Sequence, residues 1–500
     1  MHIPRLIISG LSGGAGKTMV SLGLARALVR SGLRVKAFKK GPDYIDAAWL
    51  ALAARSPQGN LDPFFLPAPA LRALFRRGAA GHDIALIEGN RGLFDGLDLA
   101  GSCSTAELSR ILFAPALLVL DCTKMTRTAA ALVSGCLNFE PGLRIGGAIL
   151  NRTGNPRHQS MVRRAVEELA GLPVLGVLPR RRHPFIVERH MGLAGLDEYA
   201  RADEELDALA DFMADNVDMD AVAKLAASAP DLPEEDAGAP PELVSERRES
   251  AVVLDSVLPP TKAAGASRPR IGYVRDAAFW FYYEENLEAL RAAGADLVPL
   301  SLLDGQSRAA DWDGLDGLYI GGGQPELHAQ ALADNRFCRE RVAALSRDGL
   351  PIYAECGGFM YLARELIVAG AAFPMAGVFP CSVELLSRPQ GLGYVEAEVM
   401  APNPYHPLGA RFRGHEFHFS RCLARESDPE QASFSDRIAG GSGGHILHLH
   451  KGRGMCYIPE QDGFDGLLLN NTFAVYTHVF APALPHWATN FVALCAGRRG

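Results

Sequence analysis

The chain carries two short segments whose residue types and spacing suit chemistry. The first is Ser12-Gly13-Gly14-Ala15-Gly16-Lys17-Thr18. Its glycines let backbone N–H groups converge on phosphate oxygens, Lys17 would reach the β- and γ-phosphates, and Thr18 would hold Mg²⁺. The strict G-x-x-x-x-G-K-[ST] pattern has glycine where this chain has Leu11, and the spacing fits the S-G-G-x-G-K-T variant. This segment predicts a nucleotide site. The second is Cys356-Gly357-Gly358-Phe359-Met360, which follows the run Pro351-Ile352-Tyr353-Ala354-Glu355. A strand ending in a tight turn with a helix behind it lifts a cysteine to the edge of a sheet. The helix N-terminus is expected to lower the thiol pKa toward thiolate. Such a nucleophile needs a base, and His478 in Tyr476-Thr477-His478 is the candidate. The usual acid two residues after the histidine is absent, because that position is Phe480. Either another carboxylate orients the imidazole or the site is a Cys–His dyad.

Elements must exist to hold these groups. Leu6-Ile7-Ile8 reads as a strand, and residues 19–28 read as the helix behind the glycine-rich turn. Residues 34–39 form a second strand that runs into Lys40-Gly41-Pro42-Asp43-Tyr44-Ile45-Asp46. Gly-Pro-Asp is turn chemistry, so its acids suit capping; two carboxylates and a lysine past a strand end also suit a ligand. Residues 84–87 make an apolar strand tipped by Glu88, the acid expected to orient Mg²⁺ and its waters. A glycine-rich loop, 89–96, follows, and Ser104 caps a helix. Strands are predicted at 115–121, at 145–150 before Asn151-Arg152, and at 175–179 before the basic run 180–183. Residues 197–227 read as an acidic helix pair. Residues 228–269 are rich in proline, alanine and glutamate, and predict a linker. A second strand–helix alternation starts at Arg270 and includes the aromatic cluster 279–283, the strand-end run Gly321-Gly322-Gly323-Gln324-Pro325-Glu326 and the Cys356 elbow. The predicted fold is α/β, with two doubly wound domains at 1–227 and 270–500. Histidines 415, 418, 445, 448 and 450 suit strand positions better than a metal site, which needs three or four converging ligands.

Composition narrows the functional classes. A chain of 500 residues exceeds one ordinary core, and 48% hydrophobic with 21% charged residues is a globular balance. The net charge of −7 argues against general nucleic-acid binding. There is no apolar run of membrane length. Nine cysteines without a C-x-x-C pair fit reduced thiols and a cytoplasmic protein, not a disulfide framework or zinc site.

In their order along the chain, these motifs resemble the cobyrinic acid a,c-diamide synthase family. The likeness is carried by 12–18, 40–46, 88–96, Asn151-Arg152, 189–193, 275–279, 321–326, 355–360, 414–420 and 476–478. It implies a dethiobiotin-synthetase-like ATP domain joined to a class I glutamine amidotransferase domain. The implied substrates are ATP, L-glutamine and a tetrapyrrole carboxylate, with Mg²⁺ as cofactor. A peripheral acetate would be phosphorylated, and ammonia from glutamine would displace the phosphate. By family position Thr18, Asp43 and Glu88 would handle Mg²⁺, Asp46 would meet the substrate carboxylate, and Asn151 the adenine. The thioester route to glutamate calls for N–H donors at a tetrahedral oxyanion, and Gly322, Gly323 and Gly357 are the candidates. The chain departs from the family at Asn90-Arg91, at Gln324 and at Val479-Phe480. Arg91 would answer a substrate carboxylate. Cobyrinic acid is the first substrate expected, and relatives acting on sirohaem or nickel-sirohydrochlorin share the motifs. A regulatory P-loop ATPase with a decayed glutaminase would predict a damaged elbow, whereas Cys356 and His478 are both present. A homodimer is compatible with this reading.

Overall fold

Short buried apolar runs become the strands of a parallel sheet in the first half of the chain. The computed structural model describes residues 2–181, 185–186, 188–189, 192–193, 201–233, 268–303, 309–423, 445–455 and 463–499. The chain divides into two compact units, Met1–Pro240 and Pro241–Gly500. The first is built on β1 (Arg5–Gly10), β2 (Val35–Lys40), β3 (Asn60–Leu61), β4 (Ile84–Glu88), β5 (Ala116–Asp121), β6 (Ile145–Thr153) and β7 (Val174–Pro179). Their order across the sheet is β3-β2-β4-β1-β5-β6-β7, and every pairing is parallel. The chain moves one way from β1 and then returns to its other side at β5. That leaves a switch point beside the C-terminal end of β1, where open α/β sheets bind ligands. The helices α1 (Lys17–Arg30) and α2 (Ile45–Ala54) follow β1 and β2. The α1 core face carries Val20, Leu24 and Leu28, which pack with Trp49 and Leu50 of α2 over the sheet.

The second unit contains a six-stranded sheet. Across it lie Asp296–Leu300, Arg270–Val274, Gly317–Ile320, Ile352–Glu355, Thr472–Val475 and Leu467–Leu469. The pairings are parallel except the last, which is antiparallel. Two further sheets are built mainly from the connection between the Cys356 helix and Thr472, and hydrophobic periodicity did not separate them from the main sheet. One has five strands, including Gly391–Val399, Arg411–His418 and His478–Val479. The other has four and is built on Ala363–Val368 and Phe379–Leu385. His478 is therefore a strand residue as well as a loop-end residue.

The predicted acidic helix pair is Ala202–Asn216 and Met219–Ala227. Most of the expected linker, 234–267, lies outside the described residues, as do 182–183 of the basic run and 190–191 of the 189–193 motif. Cys122, Cys136, Cys356, Cys381 and Cys495 are free thiols. No helix among the described residues is long and apolar enough to cross a membrane.

Candidate active sites

In the first unit the turn after β1 leads directly into α1. Gly14 at φ 71° and Gly16 at φ 94° hold left-handed backbone, and a β-carbon at Gly16 would also strike the Asn151 amide. Ser12, Gly13 and Gly14 are exposed, as a phosphate cradle requires. Lys17 is buried and its Nζ donates to Ser12 O at 2.9 Å. Burial lowers its pKa from the ordinary value, against the pull of Glu88. Thr18 Oγ1 donates to Glu88 Oε1 at 2.7 Å, while the buried Oε2 of Glu88 has no hydrogen-bond partner.

Around Glu88 the acids are organised by one buried ammonium. Lys39 Nζ reaches Glu88 Oε1 at 2.7 Å, Asp46 Oδ2 at 2.5 Å and Asp43 Oδ2 at 4.0 Å. Burial works against the Lys39 charge, but Asp46, Glu88 and Asp43 outweigh it and hold the proton on. Asp43 is pushed up to about 7 by burial and by the neighbouring Asp46. Its Oδ1 accepts from Asp46 N at 2.9 Å, which caps the turn into α2. The capping reading of this segment is realised by Asp43, while Asp46 shares Lys39 with Glu88. The lysine is Lys39, where the sequence suggested Lys40. Neighbouring strand residues point to opposite faces, and Asp62 is the largest charge acting on Lys40.

The loop after β4 is pinned to the nucleotide turn by Leu93 N donating to Gly10 O at 2.7 Å. Arg91 stands exposed on that loop at φ 52°. A cavity of about 560 Å³ opens on the other side of Gly16, bordered by Met19, Asn151, Arg152, Pro179 and Phe185. Asn151 Nδ2 donates to Ala15 O at 2.9 Å and its Oδ1 accepts from Arg152 N at 2.9 Å. The side chain predicted to meet adenine thus also braces the phosphate turn.

In the second unit Cys356 sits at φ 48° and ψ −102°, a conformation rarely held by an L-residue, between its strand and the helix Gly357–Leu362. Cys356 N donates to Val475 O at 2.7 Å and Met360 N to Cys356 O at 3.0 Å, which fixes the elbow. Glycines make the crowding possible. A β-carbon at Gly357 would lie 3.0 Å from Gly323 N and from Pro325 Cδ, and one at Gly322 would lie 2.5 Å from His478 Cε1. The backbones of Gly323 and Gly357, two of the predicted oxyanion donors, are in contact.

The thiol itself differs from expectation. Burial pushes its pKa up, the charge of Glu326 adds to the rise, and the Gly357 N–H only partly offsets them. The helix behind it has six residues, too few for its dipole to outweigh desolvation.

Beside His478, the base expected from the sequence, stands the carboxylate of Glu355. His478 Nδ1 lies 3.3 Å from Glu355 Oε2, and Val479 N donates to Glu355 Oε1 at 3.3 Å. Both side chains are 1% exposed. A carboxylate accepting from Nδ1–H places the basic lone pair of the imidazole on Nε2. Of the two sequence alternatives, the structure shows a carboxylate beside the imidazole. It comes from the residue before the nucleophile. His415 pairs with His478 across the sheet and stacks on it at 4.8 Å and 16°. His418 stacks on Tyr476 at 3.8 Å, and Phe417 O lies 3.9 Å from Cys356 Sγ. The 414–420 motif is the wall of this site. His450, from the last histidine cluster, pairs with Glu398 at 2.7 Å.

These two sites match known families in the same order. Residues 6–193 match the CobQ/CobB/MinD/ParA nucleotide binding domain, and residues 270–483 match the CobB/CobQ-like glutamine amidotransferase domain. A cobyrinate a,c-diamide synthase of Magnetococcus marinus is 40% identical, over 97% of this chain and 96% of its own length. The chain belongs to the cobyrinate a,c-diamide synthase family. A second such synthase, from Syntrophotalea carbinolica, is 37% identical over 99% of this chain and 100% of its own. One from Archaeoglobus fulgidus is 37% identical over 96% and 94%. Like its family, the protein is a glutamine-dependent amide ligase that uses ATP.

Within this diamide synthase family chain, sequence reading missed Lys39 and Glu355. Each is a charged residue at the end of a buried strand, and that is the signal that could have found them. Strand interiors rarely tolerate a charge unless a partner waits across the fold.

Proposed function

We propose that the protein amidates the a and c acetate carboxylates of cobyrinic acid, with residues 1–227 activating the carboxylate and 270–500 supplying ammonia. The observation that carries this reading is the pairing, in one chain, of a Lys17–Thr18–Glu88 phosphate site with a Cys356–His478–Glu355 hydrolytic site. A carboxylate is a poor electrophile until one oxygen becomes a leaving group. The substrate carboxylate oxygen attacks the γ-phosphorus, the bond to the β-bridging oxygen breaks, and ADP leaves. Ammonia then attacks the acyl carbon and phosphate departs, leaving the amide. Lys17 stabilises charge on the transferring phosphoryl group, and Arg91 meets a carboxylate of the macrocycle.

Mg²⁺ fits the oxygen donors present, the Thr18 hydroxyl and the unpartnered Glu88 Oε2, with Asp43 nearby. When bound it supplies positive charge next to the phosphates. Among the described residues no His, Cys, Asp and Glu cluster would hold a metal ion by itself. The nucleotide phosphates then complete the oxygen set.

At the other site Cys356 Sγ attacks the glutamine carboxamide carbon while its proton passes to His478. His478 returns that proton to the departing ammonia, and water releases glutamate from the thioester. Gly322, Gly323 and Gly357 N–H groups serve the oxyanion. The deciding experiment offers cobyrinate, sirohaem and nickel-sirohydrochlorin separately, with ATP, Mg²⁺ and glutamine, and reads products by mass spectrometry. The expected result is two acid-to-amide conversions on cobyrinate. Amidation of sirohaem or nickel-sirohydrochlorin alone would overturn the substrate and keep the chemistry.

A further inference from the structure

Glutamine reaches its hydrolytic site as a zwitterion, and a site that selects it must meet an ammonium group as well as a carboxamide. The described surroundings of Cys356 contain one carboxylate not committed to a partner. Glu355 is engaged by His478 and Val479, and Asp465 accepts from Tyr476 N, Thr477 N, Thr477 Oγ1 and Gly466 N. Glu416 accepts from Arg453 N and Gly454 N. Glu326 has no cationic partner among the described residues; burial pushes its carboxyl up to about 7, offset only by its own backbone N–H, so an ammonium beside it would draw the group into its charged form.

The position of Glu326 is fixed by the elbow. It is the second residue of the short helix Pro325–His328, whose Pro325 Cδ would lie 3.0 Å from a β-carbon at Gly357, the residue after the nucleophile. Gln324 N donates to Ala278 O at 2.9 Å and Leu327 N to Gln324 O at 3.1 Å, so the turn is held on both sides of Glu326. The side chain is half-buried, which leaves it reachable from outside.

We propose that Glu326 is the subsite for the α-ammonium group of the glutamine substrate. The proposal rests on the reading of Cys356 as the glutaminase nucleophile. A carboxylate partly withdrawn from water with no cation beside it costs free energy, and an incoming ammonium relieves that cost. The same charge acts on the nucleophile. Glu326 is the largest charge acting on the Cys356 thiol, and it opposes ionisation. Neutralising it with substrate ammonium removes that opposition when the carboxamide arrives. The thiol then gives its proton to His478. Substrate binding and nucleophile activation are thereby coupled through one side chain, and the empty site keeps its thiol protonated.

The test uses the full-length protein and two substrates, L-glutamine and glutaramate, which keeps the carboxamide, the chain and the carboxylate but lacks the ammonium. Wild-type protein should prefer glutamine in kcat/KM by about 10- to 100-fold, the range of a charged hydrogen bond. Glu326→Gln should lose most of that factor on glutamine while glutaramate hydrolysis holds or rises, because the charge opposing thiol ionisation is gone, so that the preference collapses. Without substrate, iodoacetamide should also alkylate Cys356 faster in Glu326→Gln than in wild type, with Cys356→Ala as background. A variant that keeps the wild-type preference, or loses both substrates equally, overturns the proposal. So does a wild-type protein indifferent to the ammonium. Glutamine hydrolysis surviving in Cys356→Ala would instead overturn the nucleophile reading, and the subsite with it.

Discussion

Glu355 bears on catalysis through a single contact, its carboxylate against His478 Nδ1 at 3.3 Å. An imidazole held in one tautomer by a buried acid is a better base than one free to rotate. Glu355→Gln should therefore lower kcat for glutamine hydrolysis by roughly 100-fold or more with little change in KM. Ammonia-driven amidation should be unaffected. Steady-state kinetics with the two nitrogen sources checks this, and an unchanged kcat would remove Glu355 from the catalytic group. Cys356→Ala should go further, ending glutamine use while ammonia still supports amidation. Retained glutamine turnover in that variant would exclude Cys356 as nucleophile.

Elements explain which of these residues could be read in advance. Lys17, Thr18 and Cys356 were legible because strand, turn and helix are contiguous in sequence, and the chemistry lies within the turn itself. Glu88 was legible as the acid at a strand tip. Glu355 and Lys39 act across parallel strands, through the pairing of Glu355 with Val475 and of Lys39 with Glu88. Such register is set by tertiary packing, so the sequence shows a charge at a strand end but not the partner it meets. The burial that pushes the Cys356 thiol up is made by segments far apart in the chain, which no local pattern reveals.

The glycine run at 321–323 belongs to this scale too, because it lets one strand end pass between the elbow and the histidine. Gly322→Ala would drive a methyl group to 2.5 Å from His478 Cε1. The expected result is loss of glutaminase activity with the nucleotide unit intact, and a stability cost of about 1–3 kcal/mol in the second unit. Denaturant unfolding and both amidation assays would show it. Full glutaminase activity in Gly322→Ala would mean that the imidazole does not rest against this strand.

At the scale of the whole molecule the two units differ in what they bury. The second holds His406, lowered to about 3 by burial and by His486, and His445, lowered to about 4 by burial. A histidine whose folded pKa lies below its unfolded value favours the native state fully above the unfolded value. That advantage is lost as pH falls toward the folded value, because the unfolded chain takes up the proton first. At pH 5, His406 alone should cost the fold about 2 kcal/mol relative to neutral pH. Urea unfolding from pH 7 to pH 5 should show stability falling, and His406→Asn should flatten that slope even if it is less stable at neutral pH. An identical slope in the variant would assign the acid sensitivity elsewhere.

The central claim is that a carboxylate is phosphorylated at one site and receives glutamine nitrogen generated at the other. It is tested most directly with cobyrinate labelled with ¹⁸O in its carboxylates, together with ATP, Mg²⁺ and amide-¹⁵N glutamine. The account predicts that each amide formed carries ¹⁵N and that each phosphate released with it carries one ¹⁸O taken from the substrate. Amide formation with unlabelled phosphate would contradict the acyl phosphate and the role given to the Lys17 site.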